Sequence, residues 1–293
     1  MTAPVLCVGE VLWDALPAGL FLGGSCANVA QHLAALDLPV QLASAVGDDA
    51  LGREARRRLI ANGVDTTLLQ VDASHPTGWV SVRIDAAGNA TYQIDAPAAW
   101  DRIVLSAALE GAARAASALV FCTLTQRSPI SRSTIEQLWS AGVPTVLDVN
   151  LRPPHDTPAI VDASLQHATA VKLNDQELDV LRRWFDLPLA ADAALRAIAE
   201  RFGATLVCLT RGADGAALWH RGQWSEVPGV PVRVRDTVGA GDAFLARLLA
   251  GWLAGEGDAA MLDAANQLAA FVATQDGAVP PHPPTLRPRS VSP

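Results

Sequence analysis

"DTVGAGDAFLARLLAGWLAG", residues 236–255, joins a glycine loop directly to an apolar helix pattern. Gly239 and Gly241 carry no Cβ, so the backbone there can approach a ligand closely. Phe244, Leu245, Leu248, Leu249 and Trp252 follow at helical spacing. The amides of 239–242 therefore fall at a helix N-terminus, where unpaired N–H groups can face an anion. Asp242 has two readings. It can be a cap or first-turn charge, or a base placed where the helix end also holds an anion. Arg247 interrupts the apolar run, and no stretch of the chain is long and apolar enough to suggest a membrane span.

Working outward, short β-rich apolar runs recur at 4–9, 40–46, 117–122, 144–149, 169–173 and 204–210. Helical patterns fill most of the gaps, at 26–36, 50–62, 102–115, 131–141, 175–184, 191–202, 241–254 and 259–275. Continuously apolar strands between amphipathic helices predict a Rossmann-like α/β fold, a doubly wound and mostly parallel sheet with helices on both faces. Its ligands should bind beyond the strand C-termini. The segment 77–95 departs from the alternation and reads as two strands around the turn "DAAGN". With 11–22 it predicts a small β-sheet standing off the main one, a lid spanning 11–22 and 77–99. A second hairpin at 215–228 should close the sheet edge. The expected organisation is one domain over 1–293, with an irregular proline-rich tail at 280–293.

Composition narrows the function. Half of the 293 residues are apolar and the formal net charge is −8. An acidic chain of this kind argues against a nucleic-acid partner. The four cysteines, Cys7, Cys26, Cys122 and Cys208, form no C-x-x-C pair, and three lie in strand-like runs. They read as small buried hydrophobes in a reducing compartment. The chain opens on an apolar strand without a basic leader, so a soluble cytoplasmic protein with no membrane partner is expected. A dinucleotide oxidoreductase would need G-x-G-x-x-G after the first strand, where this chain has "CVGEVLWD".

The segment 236–242 resembles the C-terminal D-T-x-G-A-G-D motif of the ribokinase-like (PfkB) carbohydrate kinases, with Asp236, Thr237, Gly239, Ala240, Gly241 and Asp242 all in place. "GGSCANVAQHLAALDLPVQLASAVG" (23–47) is similar to the family's N-terminal motif, through Gly23, Gly24, Asn28, Ala30 and Gly47. Asp37 departs from it, since the family prefers Gly or Ser there, and it is expected at the left-handed position that ends a helix. The resemblance implies a Rossmann-like domain with a small β lid. It makes Asp242 the catalytic base, with the Gly239, Ala240 and Gly241 amides forming an anion hole for the transferring phosphoryl group. An ordinary carboxyl pKa of about 3.9 would make Asp242 a weak base whose value is mainly positional.

By the same resemblance, Asp14, the Gly23–Gly24 backbone and Asn28 bind substrate hydroxyls. Asn174 and Glu177 form the family's N-x-x-E pair near Mg²⁺ and phosphate, with Glu177 acting through water. The same two residues equally fit a helix capping box. Thr210 and Gly212 of "LTRGADG" would touch ATP, with Arg211 as a phosphate contact and Asn266 near the adenine. Asp236 and the turn "TQDGA" (274–278), including Gly277, imply a monovalent cation site, K⁺ being the expected ion.

"LDVNLRPP" (147–154) resembles the D-x-N-x-R segment of fructokinases and ketodeoxygluconate kinases, and Arg152 can bind an anionic substrate group or form a structural salt bridge. The expected activity is ATP-dependent phosphorylation of a primary hydroxyl of a hexose, with fructose favoured. Ribose, ketodeoxygluconate and nucleosides are alternatives, as is a regulator that binds sugar or nucleotide without turnover. For base stacking the lid offers mainly Trp79, Tyr92 and Trp100. The partners expected are therefore a small sugar, ATP and a second copy of the chain docked through lid edges.

Overall fold

The computed structural model describes residues 2–16, 19–84 and 90–286, and their side chains apart from 16, 82–84 and 90–92. The chain begins with β1 (Val5–Val8), β2 (Leu12–Leu16), β3 (Gly19–Gly23), α1 (Ser25–Ala35), β4 (Val40–Gly47), α2 (Ala50–Ala61) and β5 (Leu69–Asp72). It continues through β6 (Gly78–Ile84), β7 (Ala90–Ile94), α3 (Ala107–Ala115), β8 (Ala118–Cys122), α4 (Pro129–Leu138), β9 (Thr145–Asp148) and α5 (Pro158–Gln166). The last third holds β10 (Ala170–Asn174), α6 (Asp175–Phe185), α7 (Ala191–Phe202), β11 (Leu206–Thr210), β12 (Ala216–His220), β13 (Gln223–Val227), α8 (Ala240–Ala254) and α9 (Asp258–Ala273).

Nine strands form the large sheet in the order β13-β12-β11-β10-β9-β8-β1-β4-β5. All its pairings from β5 to β11 are parallel, and the hairpin β12–β13 adds two antiparallel strands at one edge. The period-2 alternation divides each central strand between two cores. Val5 and Cys7 of β1 pack toward α1, α8 and α9, while Leu6 and Val8 pack toward α3 through α7. The chain goes from β1 to β4 on one side and reaches β8 on the other, so the strand order switches direction at β1. Ligands of such sheets bind at the strand C-termini beside that switch.

The second sheet has the order β3-β2-β6-β7. β2 pairs with β3 antiparallel and with β6 parallel, which places Asp14 opposite Phe21 and Val80. Residues 11–22 thus contribute two strands rather than one. The turn "DAAGN" (85–89), the Tyr92 side chain and residues 287–293 of the tail lie outside what is described. Before that point the tail forms a 3-10 turn at Pro284–Leu286 and buries His282, whose ring stacks on His32 of α1.

Several expectations need correction. The helix read over 102–115 starts only at Ala107, because the Ser106 hydroxyl accepts the Leu109 amide and caps it there, and Ala99–Arg102 is a 3-10 turn. The helix read over 131–141 spans Pro129–Leu138, with a 3-10 turn after it. β5 and α5 were not expected. β5 is only four residues long and partly exposed, which leaves little pattern to read. α5 did carry a start signal, Thr157 as N-cap accepting from Ile160 and Pro158 in the first turn.

Asp37 does sit just past the end of α1 with φ 63, in the left-handed region. Asp37→Gly should therefore raise folding stability by ~0.5–1 kcal/mol, readable as a higher denaturation midpoint with unchanged slope.

Candidate active site

Gly239 stands just before α8, and its φ of 79 turns the chain into the helix. A Cβ on Gly239 would lie 2.4 Å from the Ala278 carbonyl oxygen, so the turn at 274–278 packs directly against the loop. Among the described residues no side chain caps the helix, and Asp242 is its first-turn acidic residue. The cap reading of Asp242 is thus set aside, because its carboxylate is used elsewhere. Its two oxygens accept hydrogen bonds from Ser25 Oγ and Asn28 Nδ2, both at 2.8 Å. Burial raises the Asp242 pKa to about 6, with a further push from the Asp148 carboxylate, while Asn28, Ser25 and Lys172 oppose the shift. The Asp242 carboxylate is therefore more basic than its ordinary value implied, because the surrounding protein removes water from it.

α1, which carries Ser25 and Asn28, follows the Gly23–Gly24 turn. Gly24 has φ 103, and a Cβ on it would meet the Glu10 carbonyl at 2.2 Å, so only glycine fits. A Cβ on Gly23 would fall 2.2 Å from Asp14 Oδ2. The missing side chain leaves the Asp14 carboxylate open beside the backbone. Asp14 lies within β2 of the small sheet, not at a strand end. Its pKa rises to about 6, chiefly through burial, and the neighbouring Arg152 and Asp236 charges act in opposite directions on it. Asn28 is buried, and its Oδ1 has no hydrogen-bond partner among the described residues. Arg152 is exposed and makes no salt bridge among the described residues. Its guanidinium donates only to the Leu151 carbonyl, and its amide is held by Asp156.

On the other side of α8, Asn174 ends β10 next to Thr210 at the end of β11. Asn174 Oδ1 accepts the Glu177 amide at 2.9 Å and Glu177 Oε2 accepts the Asn174 amide at 2.8 Å, so the capping box is real. The Leu151 amide donates to Oε1 of the same carboxylate at 3.0 Å. Each Glu177 oxygen therefore already accepts one backbone hydrogen bond, and burial raises its pKa. Such a carboxylate suits a hydrated cation held through water better than direct ligation. Gly212 follows with φ 52 in a 3-10 turn. Arg211 is tied to Glu226 at 3.4 Å, and its Nε is buried without a hydrogen-bond partner among the described residues. Asn266 is buried rather than exposed and donates to the Pro228 carbonyl, in the segment leading to the 236–242 loop. The Asp236 carboxylate accepts the Val238 amide at 3.0 Å, and its own amide reaches the Ala273 carbonyl at the end of α9. Gly277 packs under Phe21 of β3.

Sequence reasoning missed four residues of this centre. Ser25 stands between the glycines and Asn28 and donates to the Asp242 carboxylate. Glu10 is buried and accepts from the Ser25 amide and from Thr125 Oγ1 at 2.8 and 2.6 Å, anchoring the start of α1. Asp148 and Lys172 form a buried ion pair below α8, with Nζ 3.1 and 3.2 Å from the two carboxylate oxygens. Asp148 was legible as the first position of D-x-N-x-R. Lys172, two residues before Asn174, gave no signal beyond a cation near a strand end.

A helix end that can face an anion, beside a half-buried carboxylate, is the kind of arrangement that suits phosphoryl transfer to an alcohol. Residues 18–285 match the family described as pfkB family carbohydrate kinase, and the chain belongs to it. It is 34% identical over 265 residues to the fructokinase of Klebsiella pneumoniae, covering 86% of this chain and 85% of that protein. With the fructokinase of Salmonella typhimurium the identity is 33% over 264 residues, covering 85% and 84%. An ATP-dependent ribose-1-phosphate kinase of Halopiger xanaduensis is 30% identical over 258 residues, covering 87% and 81%. Among solved structures, the Xylella fastidiosa fructokinase with bound ATP superposes with a TM-score of 0.81 at 26% identity, covering 95% of this chain and 94% of that one. The Vibrio cholerae fructokinase bound to fructose, ADP and calcium ion gives 0.80 at 27% identity, covering 94% of each. The fold and the carbohydrate kinase class follow. Among the described residues no helix is long and apolar enough to cross a membrane.

Proposed function

We propose that the protein is an ATP-dependent fructokinase that phosphorylates a primary hydroxyl of the sugar. The observation that carries this reading is the continuous path of contacts from Asp14 through Gly23 and Ser25 to Asp242. It joins a hydroxyl-binding carboxylate to a base at a helix N-terminus. Asp14, the Gly23–Gly24 backbone and the free Oδ1 of Asn28 clasp sugar hydroxyls, and the exposed Arg152 closes the sugar end. Asp242 accepts the proton of the attacking hydroxyl. The amides of Gly239, Gly241 and Asp242 hold the transferring group's charge, while the Ala240 amide, expected among them, is already spent on the Thr237 carbonyl at 3.2 Å. Thr210, Arg211, Gly212 and Asn266 line the nucleotide side.

Mg²⁺, when bound, neutralises phosphate charge, and Glu177 would hold its waters beside Asn174. Asp236, with the turn around Gly277, would hold K⁺ and so order the loop that enters α8. The small β-sheet acts as a lid over the sugar, in a single domain whose two sheets meet at the site. Its outer strands β3 and β7 offer pairing edges for a homodimer, which sedimentation at two protein concentrations would test. Four buried free cysteines support a cytoplasmic, reducing setting.

One of the lid's aromatic groups is withdrawn from base stacking, which favours a sugar over a nucleoside. Trp100 is completely buried with Arg127 stacked 3.8 Å over its ring, so it offers no face to a base. An ADP-release assay over fructose, ribose, ketodeoxygluconate and adenosine tests the proposal. Fructose should give the highest kcat/KM, and tight binding of a sugar without ADP release would replace the kinase with a regulator. Asp14→Ala should raise the sugar KM by ~10- to 100-fold with a smaller change in kcat, since it removes a charge-assisted hydrogen bond to the substrate. An unchanged KM would remove Asp14 from the sugar site.

A further inference from the structure

Lys172 and Asp148 face each other across β10 and β9, on the face covered by α8. Both are buried, at 6% and 2% exposure. Among the described residues, every hydrogen bond of the ammonium goes to the Asp148 carboxylate. An ammonium has three donors, so this partner leaves one in reserve. A buried ion pair is an expensive way to fill a core, and apolar residues of similar volume commonly serve stability as well or better. The location adds a second cost. A Cβ on Gly241 would lie 3.1 Å from Lys172 Nζ, so the ammonium presses against the first turn of α8. That helix end already carries a partial positive charge, and a cation there is repelled unless anions offset it. Asp148 and Asp242 offset part of it.

We propose that Lys172 is a positioning residue for phosphoryl transfer: held by Asp148 beneath Gly241, its ammonium supplies the positive charge that lets the Asp242 carboxylate and an incoming phosphoryl group share one helix end. Lys172 does so from behind the loop, without touching the sugar. The groups that face Asp242 are Ser25 and Asn28 from α1, Asp148 from β9 and Lys172 from β10. Lys172 is also the cation that the Glu177 carboxylate feels most strongly. This inference rests on the sugar kinase reading above.

The test compares the wild-type enzyme with Lys172→Met, Asp148→Asn and the double variant, by pH profiles of kcat/KM, sugar KM and thermal midpoint. Lys172→Met should lower kcat at pH 7 by ~100-fold and move the acid limb of the profile up by about one pH unit, with sugar KM changed less than about threefold. Asp148→Asn should move the limb down, because it removes the like charge and leaves the cation. The double variant, with both charges gone, should return the limb close to the wild-type position. A merely structural pair would lower the thermal midpoint and the active fraction in every variant while leaving the limb in place, and that result overturns the proposal. If Lys172→Met fails to fold, Asp148→Asn decides alone: a limb that moves down supports the role and a limb that stays refutes it. A wild-type enzyme that releases ADP with none of the sugars would instead overturn the kinase reading, since that result does not depend on Lys172.

Discussion

Asp242→Asn should reduce kcat by ~10³-fold or more while the sugar KM stays within about threefold, because it removes a proton acceptor needed only as the hydroxyl attacks. The substitution keeps the shape of the side chain: its Oδ1 can still accept from Asn28 Nδ2, and its NH2 can donate to Ser25 Oγ, which reverses that bond; both partners are 2.8 Å away in the wild type. In the wild type, kcat/KM should fall as the pH drops through about 6, where burial has placed the Asp242 pKa. Asp14, raised to about 6 by the same cause, titrates over that range too, so the acid limb should be steeper than one proton allows.

The same shift has a consequence for stability, with a definite sign. Between the ordinary carboxyl value and about 6 the folded chain keeps a proton that the unfolded chain has lost, so stability declines as the pH rises across that window. Above it the full cost of a buried charge is present. Asp242→Asn should therefore be more stable than the wild type at pH 8, by ~1 kcal/mol, and no more stable at pH 4. A variant with near-normal kcat would end the assignment of Asp242 as the base, whatever its stability.

Gly239→Ala is expected to be nearly as damaging, and by a different route. Its φ of 79 costs an alanine ~1–2 kcal/mol, and the new methyl would lie 2.4 to 2.6 Å from three atoms of Ala278. Two of those atoms are backbone and cannot swing aside, so the loop must move. A shift on the order of 1 Å in the amides of 239–242 should lower kcat by ~100-fold, and the overlap should lower stability by about 2–4 kcal/mol. Urea denaturation and steady-state kinetics on the same preparation separate the two effects. Normal turnover in a destabilised variant would mean that the loop does not bind the transferring group.

Much of this was legible along the chain. The central strands are short and apolar because both faces are covered, and that pattern alone identifies a parallel sheet. The loop at 236–242 and the G-G-x-x-x-N spacing could be read because backbone conformations that only glycine tolerates leave glycine in the sequence. The positive φ at Asp37 was foreseen for a related reason: a helix that ends needs a residue able to turn left-handed. β5 escaped because four partly exposed residues carry no period.

Other features depended on contacts between distant parts of the chain. Asn174 and Glu177 fit a capping box and a phosphate-side pair equally well on paper. The folded chain shows the capping box, and the Leu151 amide on the second Glu177 oxygen restricts how that carboxylate could serve a cation. Trp100 reads as an aromatic group on the lid, yet Arg127 and the surrounding core enclose it.

By itself the sequence determined the sheet type, the glycine turns and the family, since these rest on local conformational preference and short-range spacing. Only the tertiary structure decided the acidity of the Asp242 carboxyl and the charges gathered around it. Ser25 and Asn28 lie more than two hundred residues before Asp242, and Asp148 and Lys172 reach it from two separate strands. A pKa is set by the water excluded and the charges gathered around a group, and that assembly exists only once the chain has folded.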